Sequence, residues 1–300
     1  MAVVQREELV PLDQSLSAAV AAVSPSVLHL ARSHGGGTAL VWKDDLAVTS
    51  SFHCPDEPEV MVATPDGDLS SRRATVVGRD PGLDLALLRL DGALVAPAYR
   101  DAGTLAVGNL AVALGRPGRS VRASLRMIGV LGQEVRTPAG GVLRSYVETD
   151  RLLPRGFAGG PLIDVSGHVI GMSTRTLLRG HDLAIPAGDL ERSIAQLLDH
   201  GVIPRGYLGL GVTPVALARK LAESVGHERG VLVAALDEGG PAEVGGVRQG
   251  DIVLTLDGHP VPGPLELREL VSQRPQAQVE LTLVRGGVAQ TLSVKLGTRP

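Results

Sequence analysis

Apolar side chains recur at helical spacing over residues 13–23, DQSLSAAVAAV, and predict a short helix that stops at the Ser-Pro-Ser of residues 24–26. From Val27 to about Met172 the period changes. Short apolar runs (SVLHLA, TALVW, LAVTS, EVMVAT, ATVVG, LALLRL, NLAVALG, HVIGM) alternate with turns rich in Gly, Pro and Asp. That cadence predicts an antiparallel β-barrel or sandwich. Residues 186–201, PAGDLERSIAQLLDHG, then predict a helix with Pro186 in its first turn, Leu190, Ile194, Leu197 and Leu198 on one stripe, and Gly201 as terminator. After the connector VIPRG the cadence becomes mixed. A strand (YLGLGV), a helix (VALARKLAESVG), a strand (VLVAAL), a turn-rich stretch, a strand (IVLTLDG), a helix (PLELRELVSQR) and two closing strands (VELTLV, TLSVKL) predict one small α+β unit over residues 206–298.

Composition narrows this picture. The chain has 300 residues, enough for about two domains. Apolar residues make up 44% but aromatics only 2%, so the cores must be aliphatic. The 38 glycines and 20 prolines point to many tight turns. A single cysteine, Cys54, excludes an intrachain disulfide and a thiolate metal cluster. With a net charge of −3, bulk attraction to nucleic acid or anionic membrane is excluded as well. The opening MAVVQREELVPL places charges where a signal peptide needs its apolar region, AAVAAV is too short to span a bilayer, and the chain is expected to be cytoplasmic unless an export segment has been removed.

The chemically informative stretch is YVETDRLLPRGFAGGPLIDVSGHVIGMST, residues 146–174. A Gly-flanked turn between strands presents consecutive backbone N–H groups, which can hold an oxyanion if a nucleophile sits among them. The run resembles the nucleophile loop of HtrA/Deg-type trypsin-fold serine proteases, in which a TD pair precedes GxSGGPL and a GxVIGxxT strand follows. Gly156, Gly159, Gly160, Pro161, Leu162, Gly167, Gly171 and Thr174 match, and Ala158 stands at the nucleophile's position. GRDPGLDLALLRL, residues 78–90, is similar to the segment that bears the family's aspartate, here Asp84. The histidine belongs to the run LAVTSSFHC. Aligned on Thr49 without gaps its position is Phe52, while a one-residue insertion brings His53 into place. The resemblance implies a catalytic set of His53, Asp84 and Ala158, with the N–H groups of Gly156 and Ala158 as oxyanion donors. Alanine cannot attack a carbonyl. Hence two expectations arise: a natural pseudoprotease that binds peptides without cutting them, or an endopeptidase whose serine has been replaced.

Cys54 reads as a small buried hydrophobe, and neither a metal nor a cofactor is expected. DLAIP, residues 182–186, resembles the strand lining the family's substrate cleft and reads equally as an interior barrel strand. The second unit looks like a PDZ domain, on the strength of YLGL at residues 207–210, GPAEVGGVRQGDIVLTLDG at 240–258, the helix PLELRELVSQR and RGG at 285–287. By that resemblance Tyr207, Leu208, Gly209 and Leu210 form a ligand loop for a peptide carboxylate, with Leu265 and residues 267–270 shaping the pocket. The expected organisation is therefore mostly β: an N-terminal helical segment (1–23), a trypsin-like double β-barrel (24–201) and a PDZ domain (206–298). Its expected partners are extended polypeptides or C-terminal peptides, with no nucleic acid and no membrane span. A homo-oligomer is compatible with the chain, but residues 1–41 hold none of the aromatics through which the family's trimers pack.

Overall fold

The computed structural model describes residues 6–31, 36–64, 68–178, 180–201 and 203–299; residues 1–5 of the expected N-terminal segment lie outside them. The chain divides into two compact units, Met1–Ile203 and Pro204–Pro300.

The first unit opens with helix α1 (Arg6–Val23), which starts upstream of the stretch expected from the sequence and carries Pro11 inside it. Proline removes one helical hydrogen bond. The helix persists because its last turns are anchored, with Ala19 and Val23 buried in the core. Six strands then close an antiparallel barrel: β1 (Val27–Leu30), β2 (Gly37–Lys43), β3 (Leu46–Ser50), β4 (Glu59–Ala63), β5 (Leu69–Asp80) and β6 (Leu85–Leu90), in the order β1-β2-β3-β6-β5-β4. A second barrel is built from β7 (Leu110–Gly115), β8 (Arg122–Gly132), β11 (Tyr146–Thr149), β12 (Pro161–Asp164), β13 (Val169–Leu178) and β14 (His181–Pro186), in the order β11-β14-β13-β12-β7-β8. A two-stranded ladder, β9 (Val135–Arg136) with β10 (Val142–Leu143), lies between β8 and β11 in sequence.

The twofold period of a strand explains why these runs are apolar on both faces. Leu28, Leu30, Ala39, Val41, Ala86 and Leu88 fill the first barrel, and Ala111, Ala113, Ile128, Leu162 and Ala184 fill the second. The alternate residues, including Leu40, Val48, Leu85, Leu87, Leu114, Ile163 and Met172, share a third core with helix α2 (Ala187–His200), which contributes Leu190, Ile194 and Leu197. Leu198, predicted on the same stripe, faces solvent instead. Gly201 ends the helix in the left-handed conformation, φ 71°, donating its N–H to Leu197 O.

In the second unit β15 (Arg205–Tyr207) pairs with β22 (Gly297–Arg299). The main sheet runs β16 (Leu210–Ala216), β17 (Arg229–Leu236), β18 (Ile252–Leu256), β20 (Gln278–Arg285), β21 (Val288–Lys295), with β19 (His259–Pro260) attached to β18. Helices α3 (Arg219–Val225), α4 (Pro241–Val244) and α5 (Pro264–Ser272) complete it. The sequence placed the first of these helices from Val215. Val215 and Ala216 instead pair with Gly230 and Arg229 in the sheet, and α3 starts only after the extended Ala218. The core is Leu208, Val231, Val233, Val253, Leu256, Leu267, Val271, Leu281, Leu283 and Val294.

One buried carboxylate ties this sheet together. Asp251, directly before β18, accepts from Arg285 Nε at 2.8 Å, Arg285 Nη2 at 2.7 Å and the Arg248 N–H at 2.8 Å. Burial pushes the Asp251 carboxyl up, but the hydrogen bonds from Arg285 and from the Arg248 N–H, with the charges of both arginines, outweigh it and hold the group below its ordinary value. A depressed carboxylate contributes stability that is fully present above its unfolded pKa, about 3.9, and is lost as pH falls through the folded value. The melting temperature of Asp251→Asn is therefore expected to lie below that of the unchanged chain by a constant margin at neutral pH. The margin should narrow on acidification below about pH 4. A margin independent of pH in thermal melts would refute the assignment.

Candidate functional site

The loop carrying Ala158 is shaped by close backbone approaches. Gly156 and Gly159 have φ of +82° and +87°, a region that favours glycine. A Cβ on Gly159 would lie 2.3 Å from Thr38 O, and one on Gly160 would lie 2.1 Å from Leu114 O. The Gly160 N–H bonds back to Phe157 O, the Gly159 N–H to Ser173 O, and Ser173 returns a bond to Gly160 O. Thr38 Oγ1 donates to Gly156 O and accepts the Arg116 N–H. Phe157 is buried in the second barrel, where it covers Gly115. Ala158 itself is 7% exposed. Among the described residues no hydrogen bond uses the N–H of Gly156 or of Ala158.

Asp84 precedes β6 with φ +53° and is buried. Its carboxylate accepts Ser50 Oγ at 2.9 Å to each oxygen, the Phe52 N–H at 3.0 Å and Thr174 Oγ1 at 2.6 Å. Thr174 lies on β13 of the second barrel, so this carboxylate sits where the two barrels meet. His53 reaches it through an intermediary: its Nδ1 lies 3.0 Å from Ser50 Oγ. With the Ser50 hydroxyl donating to Asp84, its lone pair is left to accept the imidazole N–H. A turn sets this order, because the His53 N–H bonds to Ser50 O and the Cys54 N–H to Ser51 O. Phe52, at the position aligned without gaps to the family's histidine, turns its ring to solvent with 78% exposure, edge-on to the His53 ring at 5.2 Å.

The structure thus brings Asp84, His53 and Ser50 together, and the Ser50 bridge was not anticipated. The only sequence signal for it is a hydroxyl residue next to Thr49. Cys54 is buried in the first barrel with its Sγ toward Pro55 O, and burial pushes the thiol up, as for a small core hydrophobe. The DLAIP strand, β14, is a strand of the second barrel. β14 is bonded to β13 on one edge and to β11 on the other, the latter at Leu183 and Ala184. β13 is bonded to β12 only as far as Met172, and its exposed residues Arg175 and Thr176 lie beyond that pairing.

In the second unit β16 pairs with β17 on one edge only and forms the rim of the sheet. Between that rim and α5 runs a cleft of about 500 Å³ lined by Tyr207, Leu208, Gly209, Leu210, Leu267, Arg268 and Val271. Gly209 has φ +76°, and among the described residues no hydrogen bond uses the N–H of Leu208 or Gly209. Such a turn is an anion-binding concavity. The Tyr207 hydroxyl bonds to Asp237 at the same end. Leu265, which the sequence assigned to the pocket, is exposed and outside this lining. It lies off the cleft face of α5, whose members are Pro264, Leu267, Arg268 and Val271.

Comparison with known proteins agrees with both halves. The trypsin-like peptidase domain family matches residues 37–172 and the PDZ domain family residues 206–296. A "Probable periplasmic serine endoprotease DegP-like" of Rhizobium meliloti is 32% identical over 90% of this chain and 54% of its own length. One of the same name from Pseudomonas fulva is 33% identical over 90% and 57%. The chain thus spans about half the length of the curated relatives it matches. Among solved structures, "HtrA-type protease AlgW with decapeptide" superposes with a TM-score of 0.68 at 25% identity, covering 95% of this chain and 99% of that one. "HtrA-type protease AlgW with tripeptide" gives 0.65 at 27% identity, covering 95% and 97%. The cytoplasmic expectation is corrected by these relatives, whose names point to the periplasm. It rested on the charges in the first residues. No helix among the described residues is long and apolar enough to cross a membrane. From residue 37 to residue 296 the chain carries a trypsin-like peptidase domain followed by a PDZ domain, and over that span it is similar to HtrA- and DegP-like proteases.

Proposed function

We propose that this serine endopeptidase homologue captures extended or C-terminal peptide segments without cleaving them, as part of protein quality control. The observation that carries the reading is Ala158, a methyl group where acyl transfer requires an oxygen, in a loop whose backbone is otherwise formed. The unused N–H groups of Gly156 and Ala158 would hold a peptide carbonyl, and the PDZ cleft would hold a terminal carboxylate on residues 207–210. Two of the similar solved structures, HtrA-type proteases with a decapeptide and with a tripeptide, support a peptide as the ligand class.

A second reading is a serine endopeptidase whose nucleophile has been replaced by alanine. It is favoured by the relatives' names and by the retention of Asp84 and both candidate oxyanion donors. The two readings differ in what stands between His53 and Asp84. In a Ser-His-Asp mechanism the carboxylate fixes the imidazole directly. Here Ser50 holds that acceptor site, and Phe52 occupies the ungapped position of the base.

Casein cleavage separates them. The unchanged chain is expected to show none, since loss of one triad member costs on the order of 10⁶ in turnover. Ala158→Ser alone is expected to stay inactive, because the His53 imidazole meets Ser50 rather than Asp84. Full activity from Ala158→Ser alone would establish the second reading, and cleavage by the unchanged chain would refute the first. On the first reading Asp84 has a structural task that outlives catalysis. Asp84→Ala leaves the Ser50, Thr174 and Phe52 donors without their acceptor and is expected to lower stability by about 1–3 kcal/mol in denaturant titration. An unchanged midpoint would show that the carboxylate is dispensable to the fold.

A further inference from the structure

Resting on the reading of residues 207–210 as a carboxylate loop, we infer that the cleft reads only the last three residues of its ligand and selects a Glu or Asp two places before an apolar C-terminal residue. The register of the rim strand carries the first part. Asp237 donates its N–H to Gly209 O, and Leu217 donates its N–H to Glu228 O. In an antiparallel ladder the N–H and C=O of one residue point the same way and alternate along the strand. The odd-numbered positions 209–217 therefore turn toward β17, while Leu210, Val212, Pro214 and Ala216 face the open edge.

A ligand strand laid on that edge meets an N–H and a C=O at Leu210 and again at Val212. Its next pairing position is Pro214, which has no N–H. Ligand residues pair at every second position, so the terminal residue pairs at Leu210 and the one two places before it at Val212, the last complete pair, because Pro214 offers only its carbonyl. Proline on an exposed rim also blunts pairing with other chains.

The second part rests on α5. Pro264, Leu267, Arg268 and Val271, one helical face, line the cleft. The Val271 end abuts the loop, since a Cβ on Gly206 would lie 1.9 Å from Val271 O. Arg268 is one turn farther along, about 4.5 Å from Val271 at the helical rise per residue. Buried Leu208, Leu267 and Val271 form the apolar seat for the terminal side chain. The next ligand side chain on that face comes two residues earlier, about 6.6 Å away. It falls beneath the Arg268 guanidinium. Arg268 is exposed and, among the described residues, takes part in no ion pair. The acidic group in the lining, Asp237, accepts the Tyr207 hydroxyl at the loop end.

Fluorescence polarisation on the full chain with N-terminally labelled peptides tests this. The probes end in Glu-Ala-Val, Gln-Ala-Val and Lys-Ala-Val, with Glu-Ala-Val carboxamide as a fourth. Glu is expected to be preferred over Gln by about threefold, the size of a solvent-exposed ion pair. The preference should vanish in Arg268→Ala and turn toward Lys in Arg268→Glu. Lengthening the Glu-Ala-Val peptide from three residues to six should leave Kd unchanged, whereas in Pro214→Val the longer peptide should bind more tightly. Carboxylate-dependent binding without a Glu preference, or affinity that climbs with length in the unchanged chain, would overturn the inference and leave the carboxylate-loop reading intact. Equal binding of acid and carboxamide, or no binding of any probe, would overturn that reading and the inference with it.

Discussion

A buried carboxylate must have its oxygens filled, and at Asp84 that requirement organises the first unit. The group sits before β6 of one barrel and takes donors from β3 (Ser50), from the turn after it (the Phe52 N–H) and from β13 of the other barrel (Thr174). Any arrangement that leaves the barrels apart strands at least the Thr174 bond. The nucleophile-position loop depends on the same junction, because Gly159 lies against Thr49 and Ser50 and is bonded to Ser173, next to Thr174. The apolar core between the barrels supplies most of the free energy, but it is non-directional. The polar contacts around Asp84 set the register in which the core closes.

That division explains what was legible in the sequence. The β content, the helix 187–200 and the α+β texture of the second unit all follow from the period of apolar residues, since Leu87 and Leu88 must go to different cores whatever surrounds them. The carboxylate, the glycine turns and the YLGL loop were legible because each needs a particular residue type at a particular spot. The position of His53 was not. Whether it or Phe52 faces Asp84 depends on a turn in which a serine hydroxyl competes with an imidazole for one acceptor, and neither propensity nor periodicity ranks those two. The place of β14 in its barrel was hidden for a related reason. An apolar strand looks the same with one bonded edge or two, and only the order of strands decides. The start of α3 moved because Val215 and Ala216 continue a helix-like pattern locally but found partners in β17.

On the peptide-capturing reading, the two units would meet a ligand's backbone differently. In the first, the N–H groups of Gly156 and Ala158 border a site where a carbonyl would gain negative charge only if a nucleophile attacked. Without one, they offer ordinary ground-state hydrogen bonds, and such bonds bind without accelerating anything. In the second unit the N–H groups of Leu208 and Gly209 would meet a charge that is already present, on a terminal carboxylate, and need no chemistry to be useful. An alanine at the nucleophile's position therefore reduces one set of donors to ground-state binding and leaves the other untouched.

On the non-cleaving reading, the Ser50 bridge bears on how the absence of a nucleophile persists. With alanine at position 158 there is no penalty for an imidazole that misses its carboxylate, yet the carboxylate still has to be satisfied because it is buried at the barrel junction. A hydroxyl on β3 meets that demand at lower cost than an imidazole, since it orders one rotor rather than a ring. Once Ser50 fills the acceptor, a serine introduced at position 158 would face a base held at one remove from its orienting group. The fold can thus keep Asp84 for stability while the geometry that makes such a residue catalytic drifts, and the residue that looks most like a relic of catalysis retains a structural task.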